Sequence, residues 1–371
     1  LKPSRRPEPV STNSEPMPDD LLHHYLSQQG AQFGGVAGEQ VAQNYGDTNA
    51  EHRALIESVA LVDLSFRGCL AVLGDDRVKF INGQVTNEVA GLKPGQGCYA
   101  ALVNAKAKMQ ADLHVYRLDD ELILDFEPSL LDAVTERLES HVVADQVELI
   151  DASPHFGLLS LQGPKTADAL ASLGLALPGE PFAHAKSPLD GLGEVYVMNN
   201  GRYGTAGCDL YISTGHLGEA AARLAKAVEG QGGRLAGWQA AEIARVEAGI
   251  PRFGIDMDNK TLPPEAGLET RAISYTKGCY IGQEIIARIR TYGRVNRTLV
   301  GYRLEADLAA GTQLTDDSGK TVGTLTSVID SPRFGPIALG LAKRGSETPG
   351  QVLTAREPAQ GQATVAEIPF R

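Results

Sequence analysis

One short segment of the sequence combines residue types that favour thiol chemistry. Residues 276–284 read Thr-Lys-Gly-Cys-Tyr-Ile-Gly-Gln-Glu, so Cys279 lies between two glycines and two residues after Lys277. A helix is predicted to begin just after it, and a helix N-terminus and a nearby lysine both stabilise a thiolate. A lone cysteine is nevertheless more often an inert core residue. The segment leaves both interpretations open.

The same segment begins a locally basic stretch. Between Lys277 and Arg303 the only acidic residue is Glu284, and the basic residues are Lys277, Arg288, Arg290, Arg294, Arg297 and Arg303. Because the whole chain carries a formal net charge of -12, this is a local reversal of sign. Focused positive potential favours an anionic ligand, and a solvated helix face is the alternative.

A second candidate segment lies upstream, in residues 244–269. Arg245 and Glu247 are predicted near a helix C-terminus, and the turn that follows carries Asp256, Asp258 and Glu265. The pattern is equally typical of a binding site and of an arginine–carboxylate network that fixes a loop.

Composition and missing motifs exclude several classes of protein. The net charge argues against general nucleic-acid binding, no apolar run approaches the ~20 residues of a membrane span, and the first residues lack the apolar core of a secretory signal. There is no Rossmann fingerprint, P-loop or Gly-x-Ser-x-Gly elbow. The four cysteines and eight histidines are scattered, so we expect no metal site. So few cysteines fit a reducing cytoplasm.

The elements that must position these residues form two similar halves. Residues 69–81 and 158–170 each read as a strand, a glycine turn and a helix. Strand-like segments, an amphipathic helix and a short closing strand follow in each half: strands 97–104, 109–117 and 121–126 with helix 129–141, and strands 194–198 and 207–213 with helix 217–229. This βαββαβ-like pattern predicts two related α+β halves packed on each other.

The remaining segments complete the predicted division of the chain. Helices are predicted over about 19–29 and about 237–248. Another helix is predicted to begin at Thr48, because Thr48 and Glu51 are spaced as a capping box. Short β-prone runs at 298–304, 321–328, 336–342, 352–356 and 363–368 predict a C-terminal antiparallel β-barrel. The predicted units are a flexible tail (1–18), a first half (19–150), a second half (151–293) and the barrel (294–371).

Five segments together resemble the folate-binding superfamily of the glycine-cleavage T-protein, or aminomethyltransferase. They are "VDLSFRG" (62–68), "FINGQVTNEV" (80–89), "PGQGCYAALVNAKAKM" (94–109), "RVEAGIPRFGIDMD" (245–258) and "KGCYIGQE" (277–284). The last is similar to the hallmark of the YgfZ branch, which is implicated in assembly or repair of iron–sulfur proteins. The resemblance implies a cloverleaf-like, three-domain arrangement with tetrahydrofolate in a central channel.

The resemblance also implies roles for particular residues. Asn104 and Asp112 would line the folate side, and Arg245 and Arg297 would bind or frame the cofactor, since arginine can hold the glutamate tail in a bidentate way. The predicted site residues are Cys279 and Lys277 for catalysis, and Asn104, Asp112, Arg245, Glu247, Arg297 and Tyr280 for cofactor binding.

Two departures from the family pattern bear on activity. Aminomethyltransferases carry an Asp-Asp pair where this chain has Ala111-Asp112, so a carboxylate expected near the reacting folate nitrogen is missing. Their loop with a pterin-binding acid is shortened here to residues 201–211, where Asp209 is the candidate substitute. Folate binding is therefore expected, and aminomethyl transfer is disfavoured.

Three functions remain open from the sequence. The first is a cytoplasmic tetrahydrofolate-binding protein that supports iron–sulfur proteins, with Cys279 as its functional thiol and with iron–sulfur clients or assembly proteins as partners. The alternative is a tetrahydrofolate-dependent aminomethyltransferase, or another one-carbon transferase or demethylase. The third is an adaptor whose basic residues 288–303 bind an acidic partner or a tRNA.

Overall fold

The computed structural model describes residues 18–293, 295–355 and 359–371. The tail predicted over 1–18 lies outside these residues, except for Pro18. Arg294 also lies outside them. The helices in the described part of the chain are α1 (Pro18–Gln28), α2 (Thr48–Glu57), α3 (Arg77–Gln84), α4 (Leu131–Glu139), α5 (Thr166–Ser172), α6 (Leu217–Gly230), α7 (Trp238–Glu247), α8 (Glu269–Ala272) and α9 (Gln283–Tyr292). None of them is long and apolar enough to cross a bilayer.

The strands form two sheets, a hairpin and a barrel. They are β1 (Gln32–Val36), β2 (Glu39–Asn44), β3 (Ala60–Asp63), β4 (Gly68–Leu73), β5 (Gln96–Val103), β6 (Met109–Arg117), β7 (Leu122–Phe126), β8 (Glu148–Asp151), β9 (Phe156–Gln162), β10 (His184–Leu189), β11 (Gly193–Asn199), β12 (Gly207–Ser213), β13 (Arg234–Leu235), β14 (Arg297–Leu304), β15 (Gln313–Thr315), β16 (Thr321–Ser331), β17 (Gly335–Lys343), β18 (Val352–Ala355) and β19 (Gly361–Ala366).

The first sheet has the strand order β5-β6-β7-β4-β8 and carries α3 and α4 on one face. Side chains alternate between the two faces of a strand. In β6, Ala111, Leu113 and Val115 therefore join the apolar core beneath these helices. Asp112 and His114 belong to the opposite face, which is the face that matters for the site.

The second sheet has the order β10-β11-β12-β9-β3-β13 and packs against α1, α5 and α6. Its other face meets the first sheet, and a shared apolar cluster that includes residues of α2 and α7 fills the space between them. The predicted α+β class with two sheet-containing halves is confirmed, and α7 lies where those halves meet.

Three segments pack outside the half to which their position in the chain assigns them. Strand β3, in the predicted first half, pairs with β9 and β13 of the second sheet. Helix α1 packs on α6. Conversely, Met257, Leu268 and Ala272 pack on the first sheet beside Tyr99. A periodic pattern identifies a strand but not its partner, so the linear division into halves does not describe these contacts.

The helix cap predicted at Thr48 is wrong by one residue. Asp47 is the N-cap, and its side chain accepts a hydrogen bond from the backbone nitrogen of Ala50. Glu51 instead accepts from the backbone nitrogens of Tyr45 and Gly237. Asp47 therefore caps α2, whereas Glu51 links α2 to the start of α7.

The C-terminal strands form a closed antiparallel barrel in the order β14-β17-β16-β15-β18-β19, which confirms the predicted barrel. The strands follow the predicted runs closely, except that β15 was not predicted. It has only three residues, of which Gln313 and Thr315 are polar. Helix α9 ends at Tyr292, and its C-cap Gly293 has a φ of 68°, the left-handed conformation that glycine adopts readily.

Candidate functional site

A cavity of about 350 Å³ lies between the two sheets and α7. Such a volume lies in the range of small-molecule sites. Strands β5 and β6, Glu127 just after β7, the 201–207 loop, α7 and the chain after α7 all contribute to its wall. Its charged and aromatic lining residues are Arg67, Tyr99, Asp112, His114, Glu127, Phe182, Arg202, Tyr203, Trp238, Glu242, Arg245, Arg252 and Arg271.

Asp112 is the carboxylate of this cavity that is least satisfied by protein contacts. The Tyr99 hydroxyl donates a 2.7 Å hydrogen bond to its Oδ2, while its Oδ1 is buried without a hydrogen-bond partner in the described residues. Burial raises the pKa of Asp112 to about 6, although the Tyr99 hydrogen bond opposes this shift. A carboxyl group that titrates near neutral pH is suited to proton transfer.

Ala111, the departure from the family's Asp-Asp pair, does not face the cavity. It is fully buried in the apolar core between the first sheet and its helices. A carboxylate there would be desolvated among aliphatic side chains, far from the polar face of β6. The expectation that this departure removes the acid–base group of the site is therefore wrong, because Asp112 is the member of the pair that faces the cavity.

A buried charge network supports one wall of the cavity, with Asp125 at its centre. Arg67 Nε and Arg202 Nη2 each lie 2.6 Å from its carboxylate, and His114 Nδ1 lies 3.0 Å away. Burial disfavours the charged carboxylate, but the two arginines outweigh it and hold the pKa of Asp125 well below its usual range. Asp125 is therefore ionised near neutral pH.

Asp209, the candidate substitute for the family's pterin-binding acid, lies beneath the 201–207 loop. It is fully buried, does not line the cavity, and accepts hydrogen bonds from Ser160, Asn200 and Arg202. Its carboxylate thus holds Arg202 against the cavity wall. Arg202, rather than Asp209, is the residue that the loop presents to the cavity.

Arg245 lines the cavity as predicted for a cofactor-binding residue, but protein acceptors surround its guanidinium. It makes two hydrogen bonds to Glu242 and one each to Asp256, Ser327 and the carbonyl of Ile250. These contacts use all five of its N–H donors. Both interpretations of the 244–269 segment thus meet in one residue, which lines the cavity and also fixes the following loop to the barrel.

The Lys277–Glu284 motif packs on the first half of the protein and does not line the central cavity. Lys277 is buried, and its Nζ donates to the carbonyls of Asn82, Val85 and Asn87. Burial lowers its pKa to about 8. Cys279 is exposed. The motif is therefore fastened through its lysine to the end of α3, while its cysteine faces outward.

Asn104 and Tyr280 belong to this same region. Asn104 Oδ1 accepts hydrogen bonds from the backbone nitrogens of Lys106 and Lys108 in the β5–β6 turn. Gly282 packs on that turn so closely that a Cβ would lie 2.8 Å from the Asn104 carbonyl oxygen. Tyr280 is buried among Ala107, Ile273 and Ile286. The structure thus brings Asn104, Lys277, Cys279 and Tyr280 together, apart from Asp112 and Arg245.

Glu247 and Arg297 each form an ion pair between the barrel and the rest of the protein, at two different places. Glu247 is buried, 3.1 Å from His52 Nε2 and 3.0 Å from Arg333 Nη1. Arg297 Nε lies 3.3 Å from Glu265 Oε2. Neither lines the central cavity.

The basic residues predicted to form one anion-binding stretch are distributed over several environments. Lys277 is buried, Arg288 pairs with Glu284, and Arg290 stacks on Tyr275 at 3.9 Å. Arg303 lies over Phe334 and Phe370 in the barrel. Each described member thus has a local contact within the fold.

Several cavity residues were not predicted from the sequence. Tyr99 and His114 lie opposite each other on β5 and β6, and the alternation of "QADLHVY" carries the signal that Asp112 and His114 share a face. Arg271 stacks on Tyr99 at 5.4 Å and forms no ion pair with a carboxylate in the described residues. No motif marks it, because its place depends on the packing of the 251–275 segment on the first sheet.

Comparison with known proteins shows relatives that extend over nearly the whole chain. The family model of the GCVT N-terminal domain matches residues 22–277. A protein of Arabidopsis thaliana, provisionally named a chloroplastic transferase, is 30% identical over 357 residues, covering 95% of this chain and 81% of that protein. The aminomethyltransferase of Mycobacterium avium is 30% identical over 357 residues, covering 94% and 96%. The crystal structure of the glycine cleavage system aminomethyltransferase T from Bartonella henselae aligns with a TM-score of 0.84 and 25% identity, over 95% of this chain and 97% of that one.

Proposed function

Since the chain belongs to the GCVT family, we propose that it is a tetrahydrofolate-dependent one-carbon transferase of the aminomethyltransferase type, with its site in the central cavity. The observation that carries this proposal is the cavity-facing carboxyl of Asp112, with its unpartnered Oδ1 and its pKa raised to about 6. The aminomethyltransferases of this family use tetrahydrofolate as a substrate or cofactor. The similarity to them supports the transferase alternative over the iron–sulfur role.

The lining of the cavity fits a folate. Asp112 Oδ1 is an orphaned acceptor that the N–H groups of a pterin would satisfy, since pterins present donors along one edge. Arg271, at the exposed edge of the cavity and without a carboxylate partner in the described residues, would hold the anionic glutamate tail. When bound, tetrahydrofolate supplies the nitrogen atoms that carry the one-carbon unit.

The protein's own contribution is to bind, orient and move a proton. Tyr99 fixes the Asp112 carboxyl through Oδ2, which leaves Oδ1 to accept or donate a proton within the cavity. Because the pKa of Asp112 is about 6, both protonation states are populated near neutral pH, as acid–base catalysis requires. Arg202 and Arg245 also line the cavity, but each is held by carboxylates of the protein. They therefore shape the cavity and are not free to move toward a ligand.

The iron–sulfur role stays a prediction that rests on the resemblance of the Lys277–Glu284 motif. Cys279 is exposed and does not line the cavity, so a function of its thiol would be separate from proton transfer at Asp112. Iron–sulfur enzyme activity in cells carrying Cys279→Ser would test it. A cytoplasmic location and a tRNA or acidic protein partner likewise stay predictions.

The proposed function predicts turnover with a one-carbon donor. Incubating the protein with tetrahydrofolate and a panel of aminomethylated and N-methylated amines should give methylene- or methyltetrahydrofolate. Asp112→Asn should lower kcat by about 10²-fold or more, as expected for loss of an acid–base group. Asp330→Asn, an exposed aspartate on barrel strand β16, is the matched control and should leave kcat unchanged. Absence of product across the panel would refute the proposed activity.

A further inference from the structure

His114 is a second titratable side chain of the cavity wall, and the proton transfer assigned to Asp112 does not use it. It follows Asp112 by two residues on β6, so the two side chains share the cavity face. The His114 side chain is 14% exposed, and its ring lies beside Tyr99 at 5.1 Å and Phe182 at 5.5 Å between centroids. It is thus held in a fixed orientation at the surface of the cavity.

The contact between His114 and Asp125 fixes which ring nitrogen carries the proton. Asp125 is ionised and can only accept hydrogen bonds, and its Oδ2 lies 3.0 Å from His114 Nδ1. The proton of a neutral imidazole must therefore be on Nδ1. Nε2 then has a free lone pair, and it makes no hydrogen bond to any described residue.

The groups around His114 keep it neutral at pH 7. Burial lowers its pKa, the hydrogen bond that it donates to Asp125 raises it, and Arg202 and Arg67 lower it again. The other titratable groups that face it are Tyr99, Tyr116 and Asp112, from β5 and β6. A neutral imidazole with Nδ1 held by a carboxylate and Nε2 free is the arrangement of a general base.

We propose that His114 Nε2 is the proton acceptor of the cavity for a donor that bears a protonated amine, and that Asp125 is its positioning residue. The identity of this donor class rests on the proposed function. In the step, an N–H bond of the substrate ammonium breaks, its electron pair stays on the substrate nitrogen, and an Nε2–H bond forms. The positive charge passes to the imidazolium, where Asp125 stabilises it.

This assignment divides the proton transfers between two groups. Asp112, on the same strand, has a carboxyl that is protonated in part near neutral pH and can supply a proton to a leaving group. His114 takes one away. Two titratable groups whose environments push them toward opposite roles are typical of acid–base sites. The substrate class is then a primary or secondary amine that is cationic in water.

Nitrogen NMR of the ligand-free protein tests the tautomer without folate or turnover. With ¹⁵N-labelled histidine, the His114 signals are identified by their loss in His114→Gln, or by their shift in Phe182→Leu if that variant does not fold. We expect the neutral Nδ1–H tautomer with an unprotonated Nε2 at pH 7. An Nε2–H tautomer, or an imidazolium at pH 7, would overturn the inference.

Kinetics test the role of the free nitrogen. His114→Gln should lower kcat with an amine donor by about 10²-fold while tetrahydrofolate affinity changes by no more than about threefold. His155→Gln, an exposed histidine, should change neither. An unchanged kcat in His114→Gln would refute the assignment. If the wild type turns over no donor, the proposed function fails, and the tautomer measurement still supports or overturns the inference on its own.

Discussion

Asp112→Asn is expected to be more stable than the wild type at pH 8, by about 2–3 kcal/mol. The pKa of Asp112 is about 6 in the folded protein and 3.8 for the ordinary side chain. A raised carboxyl pKa means that the ionised group destabilises the folded state, fully above pH 6 and not at all below the unfolded pKa. Asparagine removes the charge while its carbonyl can still accept from Tyr99.

Urea unfolding at two pH values checks the sign of this effect. At pH 5 the advantage of Asp112→Asn should fall to about half of its size at pH 8, because most of the wild-type Asp112 is then protonated in the folded state. Asp330→Asn should change stability by less than about 0.5 kcal/mol at either pH. A variant that is less stable than the wild type at pH 8 would show that the Asp112 charge is well compensated. Stability gained where activity is lost is typical of a functional site.

Arg202→Ala is expected to destabilise the protein by about 3–5 kcal/mol. Arg202 contacts both Asp125 and Asp209, whose side chains are 1% and 0% exposed. Its loss leaves two buried carboxylates with fewer positive partners, and removing one partner of a buried ion pair costs far more than the pair contributes. Urea unfolding at pH 7 measures the difference.

An exposed arginine and a double variant separate buried charge from simple loss of contacts. Arg223→Ala breaks an ion pair with Glu219 in which the side chains are 36% and 56% exposed, so it should cost no more than about 1 kcal/mol. Adding Asp209→Asn to Arg202→Ala should restore about 1–2 kcal/mol, because it removes one uncompensated charge. Further destabilisation in the double variant would contradict the account of the network.

The sequence predicts the elements of this fold well and their partners poorly. Strand β6 is visible because Ala111, Leu113 and Val115 alternate with Asp112 and His114, and the same alternation assigns Asp112 to the polar face. Strand β3 is equally visible, but nothing local indicates that it joins the second sheet. Pairing of distant strands depends on packing across the whole molecule, and a single sequence carries no direct signal of it.

The same distinction applies to the site. Asp112 and Arg245 were predicted from family motifs, and both line the cavity. Lys277 was assigned a catalytic role for its charge beside Cys279, yet its ammonium group donates to three backbone carbonyls of residues 82–87. That contact joins residues far apart in the chain. The importance of Ala111 was misjudged for a related reason, because adjacent residues of a strand face opposite sides of the sheet.

Calorimetric titration with tetrahydrofolate tests whether the central cavity binds a folate. Saturable binding of one tetrahydrofolate to the wild type is expected. Ala206→Trp puts a bulky side chain in the cavity-lining loop and should weaken binding at least about tenfold, or about 1.4 kcal/mol. The control Ala133→Trp, on the exposed face of α4, should bind as the wild type does. Absence of binding to the wild type, or equal binding by Ala206→Trp, would contradict the assignment of this cavity to folate.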